Sequence, residues 1–462
     1  MDDAATRFAQ DASRRRIAGP LRAAVSAAFE KRRANQASAI AEHNLAAALG
    51  NAGCWREALL HIEAAVTKGG AAPQTKLVLA RALLEAGQLD QSERAYAEVL
   101  AAAPLYYEAH TELAQLRWML TGDADAALSA LNASIAAAPA DTELKIVKIQ
   151  LLAEAGQKES AHALALQTAS DAPGKAKALV AASETALALG QWEPALNYAK
   201  GAAAITSAPF TSLTLAAACL AAGEPQDALD ALRPIMLAAP YNQYAISLQA
   251  VAYRLLGDER YHALYDYSAL VRPFTLSVPK GWSSLADYLA DVGAALKETH
   301  TWRAHPLRQS IKHGTQSTSI LDRQNPALQA LPEALDPCIR QYIADVGAGD
   351  DVLRRRRSES YAIHGIWSIR MRAGGWHIDH VHTAGWLSSA CYIDVPEGAG
   401  AGEGWLSFGR PGTPTRPACE AEYYVQPSPG QLVLFPSYMW HGTTPFTGAG
   451  VRMTFALDVV PD

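Results

Sequence analysis

The sequence predicts a multidomain chain: an all-α superhelix of stacked helix pairs, followed by a double-stranded β-helix, or jelly roll, with flanking helices. Three observations carry this prediction. Up to about residue 270 the chain is rich in Ala and Leu with almost no strand signal, whereas the rest holds most of the Trp, Pro and His residues. Glycines in the first part recur at a near-constant spacing of about 34 residues. In the second part, short β-branched or aromatic segments alternate with Gly and Pro clusters, the pattern of strands and turns.

A length of 462 residues leaves room for two or three domains. The net charge of −6 argues against a general nucleic-acid or membrane binder. The opening segment MDDAATRFAQDASRRRIAGP lacks the apolar core of a secretory signal. No run of about 18 apolar residues exists to span a bilayer. Five cysteines, odd in number and without a CxxC, read as reduced thiols rather than a disulfide framework. Together these features predict a cytoplasmic protein.

Residues 1–37 are expected to form one or two capping helices, with Arg14, Arg15 and Arg16 on a solvated face. Residues 38–272 carry the repeat. Gly53, Gly87, Gly122, Gly156, Gly190, Gly223 and Gly257 are spaced by 34, 35, 34, 34, 33 and 34 residues. Five positions after each stands a small residue (Ala58, Ser92, Ala127, Ala161, Ala195, Ala228), until His262 breaks the series. Glycine permits the tight turn between antiparallel helices. The small residue allows close helix approach, and Pro104, Pro139, Pro173, Pro209 and Pro240 are expected to end the units. This ladder resembles seven tetratricopeptide repeats. The resemblance implies a concave groove for a peptide or protein. The other reading is a scaffold that supports the second half or a homo-oligomer.

Residues 273–462 form the second domain. SSLADYLADVGAALKETH reads as a helix, as does NPALQALPEALDPCIRQYIADVG with interruptions near Pro332 and Pro337. HPLRQSIKHGTQS, residues 305–317, reads as polar and turn-rich. The strand-like segments are SYAIHGIWSIRMR, WLSSACYIDV, GWLSFG, YYVQP, GQLVLFP and VRMTFALDVV. Candidate chemistry lies in GGWHIDHVHTAGWLSSACYID and in PGQLVLFPSYMWHGTTPF with VRMTFALDVV. Two imidazoles and one carboxylate on one face are the ligand pattern of non-haem Fe(II) sites. Side chains at i and i+2 of a strand point the same way, so such a pair can share a metal. Both His377/Asp379 and His380/His382 have that spacing.

The HPLRQSIKHGTQS, GGW…HVH…GWLSSACYIDVPE, GWLSFGRPG and PGQLVLFPSYMWHGTTPF…VRMTFALDVVP motifs resemble the bacterial and phage 2-oxoglutarate/Fe(II) oxygenases related to prolyl hydroxylases. They span residues 300 to 462. The resemblance implies Fe(II), 2-oxoglutarate as cosubstrate and O2. It places a glycine six residues before the first ligand, which Gly374 satisfies for His380, and favours His380, His382 and His441 as the metal set. Asp379, alone or with His377, is the alternative.

Arg452 has its own argument. Val451, Met453, Phe455, Leu457 and Val459 are apolar, leaving Arg452 and Thr454 on the other strand face. A guanidinium beside a metal needs an anion. The resemblance implies that this anion is the distal carboxylate of 2-oxoglutarate, with Thr454 and Tyr392 or Ser388 as further contacts. A salt bridge from Arg452 to Asp458 or Glu422 is the structural alternative. Trp376, Trp386, Trp405 and Trp440 read as core, and Arg354 to Arg357 as a solvated loop. The expected activity is hydroxylation of a peptide or protein side chain recruited by the repeats. The rivals are hydroxylation of a small molecule or free amino acid, and a repeat adaptor that has lost activity.

Overall fold

The structure, a computed structural model, describes residues 3–396, 400–448 and 450–462. Met1, Asp2 and Glu397, which the capping helices and the GWLSSACYIDVPE run include, lie outside them. The first helices are α1 (Asp3–Arg14) and α2 (Gly19–Ala34). Phe8, Val25 and Phe29 pack them onto Leu45, Leu49 and Ala58 of the first repeat.

Seven helix pairs follow: α3/α4 (Ala39–Asn51, Trp55–Thr67), α5/α6 (Pro73–Glu85, Leu89–Ala102), α7/α8 (Tyr107–Thr121, Ala124–Ala137), α9/α10 (Thr142–Glu154, Lys158–Asp171), α11/α12 (Ala176–Ala188, Trp192–Ile205), α13/α14 (Pro209–Ala222, Pro225–Ala238) and α15/α16 (Gln243–Leu256, Arg260–Leu264). Short α17 (Tyr267–Leu270) closes the array, and no strand occurs among the described residues from 40 to 270. Each ladder glycine stands in the intra-pair turn with φ between 67° and 85°, a region that costs other residues dearly. Ala58, Ser92, Ala161, Ala195 and Ala228 are 0% exposed, where one helix meets its partner. Leucine at Ala161 is expected to overpack that contact at a cost of about 1–3 kcal/mol. A lowered thermal-unfolding midpoint would show it, and an unchanged midpoint would show that the pair tolerates a wider gap.

The prolines do not all act as expected. Pro104, Pro139, Pro173 and Pro240 lie two residues beyond a second helix, but Pro209 begins α13. At the first helical position its missing N–H costs nothing. The last pair also departs: where His262 replaces the small residue, α16 is only five residues long.

The second half contains α18 (Leu285–Lys297), α19 (Pro326–Gln329), α20 (Leu331–Val346) and nine strands. These are β1 (Arg272–Thr275), β2 (Ile311–Ser317), β3 (Tyr361–His377), β4 (Leu387–Asp394), β5 (Leu406–Phe408), β6 (Tyr423–Val425), β7 (Gln431–Pro436), β8 (His441–Thr443) and β9 (Arg452–Pro461). One antiparallel sheet has the order β1-β7-β4-β9-β3-β2, and a smaller one β6-β5-β8. Phe408 of the small sheet meets Phe435 of the large one edge-on, ring centres 5.0 Å apart. The chain's change of character at Arg272 thus coincides with a strand that pairs with β7.

Three local expectations are corrected. The second part of HPLRQSIKHGTQS is β2, whose backbone pairs with β3 although its side chains are polar. The α19–α20 helix breaks at Ala330, before Pro332, and α20 runs on through Pro337. The buried stripe Leu331, Leu335, Ile339 and Tyr342 holds that helix against the core despite the proline. The arginine run is no solvated face. Arg15 is buried and reaches Asp322 at 3.1 Å and the Gly53 carbonyl at 2.8 Å. Arg16 pairs with Asp336, and Arg14 donates to the Gln329 carbonyl.

Further contacts tie the array to the second half along its length. The Arg56 N–H donates to Asp322, Thr318 to Glu85, and the Trp118 indole to the His305 carbonyl. Nearer the end of the array, the Arg416 N–H donates to the Leu220 carbonyl, the Trp440 indole to Ser247, and Arg254 to the Gly409 carbonyl. Most of these array residues lie where the first helix of a pair ends. That edge is an intramolecular interface, rather than part of a wholly free groove.

Candidate metal centre

β7 and β8 flank a tight turn, Ser437 to Trp440, that presents His441 at the start of β8. His380 does not lie in a regular strand. It forms an isolated antiparallel bridge with His441, each N–H donating to the other's carbonyl at 2.9 and 3.0 Å. Two residues on, the His382 N–H donates to Ser437. These backbone bonds bring the rings of His380, His382 and His441 together, with one ring nitrogen of each within 4.8 Å of the others. His380 Nε2 and His382 Nε2 are 3.1 Å apart.

The other ring nitrogens fix the tautomers. His380 Nδ1 lies 2.9 Å from the Ile378 carbonyl, and His441 Nδ1 lies 2.9 Å from the Met439 carbonyl. His382 Nδ1 lies 2.6 Å from Asp458 Oδ1. A carbonyl or carboxylate oxygen only accepts, so each Nδ1 is the donor and each Nε2 keeps its lone pair. Burial pushes His380 down to about 3 and His441 well below the usual imidazole range. Both rings are therefore neutral at pH 7, the form that binds a divalent metal.

Asp379 is not one of the clustered groups, and His377 adjoins them, its ring stacked on that of His380 with centres 5.9 Å apart. The Asp379 carboxylate accepts from Arg410 Nε at 2.6 Å, while burial raises its pKa. His377 Nδ1 lies 2.8 Å from Ser310 Oγ, which is itself 3.2 Å from His380 Nε2. His377 is thus a neighbour of the cluster through a serine that the sequence did not single out.

Arg452 is 3% exposed at the start of β9. One guanidinium nitrogen donates to the Gly404 carbonyl at 2.8 Å, its Nε has no partner, and the group lies 5.1 Å from the Tyr392 ring centre. Neither proposed acid partner touches it. Glu422 is held by Arg254 at 3.1 Å, and Asp458 by His382 and by Ser388 Oγ at 2.7 Å. Ser388 therefore supports Asp458 instead of facing the cavity. Tyr392 backs the guanidinium with its ring, and its hydroxyl is buried without a partner. Burial lowers the Arg452 pKa, as expected of a cation short of an anion.

The histidines, Arg452, Thr454 and Asp458 line one cavity of about 1090 Å³. Its outer wall includes Trp118, Glu154 and Lys158 of the repeat array and Gln309, Lys312 and Gln316 of the 305–317 segment. Glu154 Oε2 is buried without a partner, and burial lifts this carboxyl to about 7. Of the tryptophans, Trp386 and Trp440 are core, while Trp376 lines the cavity. Arg354 pairs with Asp351, and Arg356 donates to the Gly385 carbonyl. Asp458 was legible as a site residue, because it shares the alternating face of Arg452 and Thr454. The array residues were not, since nothing local marks them.

Residues 365–458 match the family model described as "Putative 2OG-Fe(II) oxygenase". No curated protein matches the chain. Among solved structures, a tetratricopeptide repeat protein from Parabacteroides merdae is 14% identical, covering 54% of this chain and 96% of its own, with TM-score 0.37. The viral collagen prolyl hydroxylase of Paramecium bursaria Chlorella virus-1, solved with 2OG, is 13% identical, covering 42% and 97%, with TM-score 0.28. A Pseudomonas putida prolyl-4-hydroxylase is 16% identical, covering 43% and 97%, with TM-score 0.29. After a tetratricopeptide-like helical array, then, the chain carries a 2OG-Fe(II) oxygenase domain, whose matched segment holds all three clustered histidines and Arg452.

Proposed function

We propose that the protein is an Fe(II)- and 2-oxoglutarate-dependent dioxygenase that uses O2 to hydroxylate a peptide or protein side chain. We assign residues 1–37 as the cap, 38–272 as the array and 273–462 as the catalytic domain. One observation carries the reading: three imidazoles, each with Nδ1 turned to an oxygen, bring ring nitrogens within 4.8 Å of one another in the same cavity as a buried guanidinium that no carboxylate pairs among the described residues. His380, His382 and His441 would hold the iron. Arg452 would take the distal carboxylate of 2-oxoglutarate, with Thr454 beside it on the same strand face and Tyr392 behind it. When bound, iron and cosubstrate supply oxidation of an unactivated C–H bond, with release of succinate and carbon dioxide. The protein's share is orientation and exclusion of water from the inner end of the cavity.

The array supports the substrate assignment through its residues in the outer wall. Trp118, Glu154 and Lys158 offer an aromatic face, an unpaired carboxyl oxygen and a cation, groups suited to an extended chain with backbone N–H donors. A second reading, a small-molecule hydroxylase, is favoured by the use of the array's edge inside the protein. Succinate release in the presence of Fe(II), 2-oxoglutarate and O2 separates the readings. A digest of cellular protein is expected to stimulate release and to yield a peptide heavier by one oxygen atom. Oxygen gain only in a metabolite extract would favour the second reading. Absence of succinate under all conditions would overturn both.

A further inference from the structure

The usual facial set has two imidazoles and one carboxylate. Three imidazoles leave the metal with one negative charge fewer. We propose that Asp458 is a positioning residue that supplies this charge from behind His382, so that the pair acts as one anionic ligand. The inference rests on His380, His382 and His441 being the iron ligands.

The three outer partners differ in kind. His380 and His441 each donate to a backbone carbonyl at 2.9 Å, whereas His382 donates to a carboxylate at the shorter 2.6 Å. Carboxylates in this position raise the basicity of a ligating imidazole and fix its tautomer. No lysine or arginine ion-pairs with Asp458 among the described residues; the group that meets its carboxylate is the His382 ring, through Nδ1. A buried carboxylate without a cation is costly unless something uses its charge.

Its placement is specific. Asp458 is 7% exposed, and Ser388 Oγ donates to the same oxygen at 2.7 Å. Ser388 Oγ in turn lies 2.9 Å from Ser437 Oγ. Gly385 leaves the room: a Cβ there would stand 2.3 Å from Ser437 Oγ and 3.2 Å from Asp458 Cγ. The two serines and the glycine hold one carboxylate oxygen on His382 Nδ1.

Calorimetric titration with Mn(II), a non-oxidising probe, tests this on the full chain. Asp458→Asn keeps the shape and an oxygen acceptor but removes the charge, and it is expected to weaken Mn(II) binding about 10–100-fold. His382→Asp sets two carboxylates face to face, and adding Asp458→Asn to it is expected to bind Mn(II) more tightly than His382→Asp alone. A purely structural role predicts the opposite, since the second change would then only add damage. That comparison also decides the matter if Asp458→Asn alone folds poorly. Wild-type affinity in Asp458→Asn, or a double variant weaker than His382→Asp, would overturn the inference while leaving the metal site standing. Failure of the wild type to bind Mn(II), or equal binding by His441→Ala, would instead overturn the metal reading beneath it.

Discussion

Arg452→Ala is expected to abolish useful binding of 2-oxoglutarate while sparing the metal. The guanidinium is 3% exposed and donates to the carbonyl of Gly404, with Tyr392 beside it and no carboxylate paired with it among the described residues. Its Nε points to nothing in the protein. Glu422 and Asp458, the two candidate acids, are both engaged elsewhere. A buried cation in that state is short of an anion, and in the proposed reading the distal carboxylate of 2-oxoglutarate supplies it. Breaking a buried charge pair costs about 3–5 kcal/mol. At about 1.4 kcal/mol per decade, that is two to nearly four orders of magnitude in affinity. Arg452→Lys should recover part of the charge but not the planar two-point contact. Titration of 2-oxoglutarate into Mn(II)-loaded protein measures the effect. An unchanged affinity in the alanine variant would refute the assignment.

His441→Ala should go further and remove the metal itself. His441 is buried, its ring fixed by the Met439 carbonyl and its backbone by the bridge to His380. Without it, two imidazoles remain. The loss should exceed the factor of about 10–100 typical of removing an outer partner. Metal content after dialysis and succinate release should fall together. Asp379→Ala is the contrasting variant. That carboxylate is tied to Arg410 and is not one of the clustered groups, so iron content should stay near wild type. Full metal binding in His382→Ala together with loss in Asp379→Ala would mean that the ligands come from the other register.

Much of the fold was legible because its signals are local. A glycine with positive φ and a small residue five positions later describe one helix pair completely, and the description simply repeats. The strand faces of β9 were legible for the same reason, since alternation needs only neighbouring residues. What escaped depends on distant partners. β2 is polar and reads as a loop. It becomes a strand because β3, some 60 residues on, offers its backbone, and the pairing resumes in a shifted register after an irregularity between Lys312 and Gly314. Likewise, three arginines in a row look solvated until Asp322 and Asp336 are brought to them. The contribution of Trp118 and Glu154 to the cavity wall was hidden too, because it arises from how the two halves meet.

The contact between Arg15 and Asp322 has a consequence for the order in which the molecule is built. Its two residues are 307 positions apart. Synthesis proceeds at about 5–20 residues per second, so the arginine leaves the ribosome about 15–60 s before its partner. The helical pairs contact mainly their sequence neighbours and can assemble as they emerge. Asp11, four residues before Arg15 and 3.3 Å away, is at hand from the start, but the second carboxylate around the buried guanidinium is absent until the chain has passed Asp322. The surroundings of Arg15 are thus completed only after 307 further residues have been made.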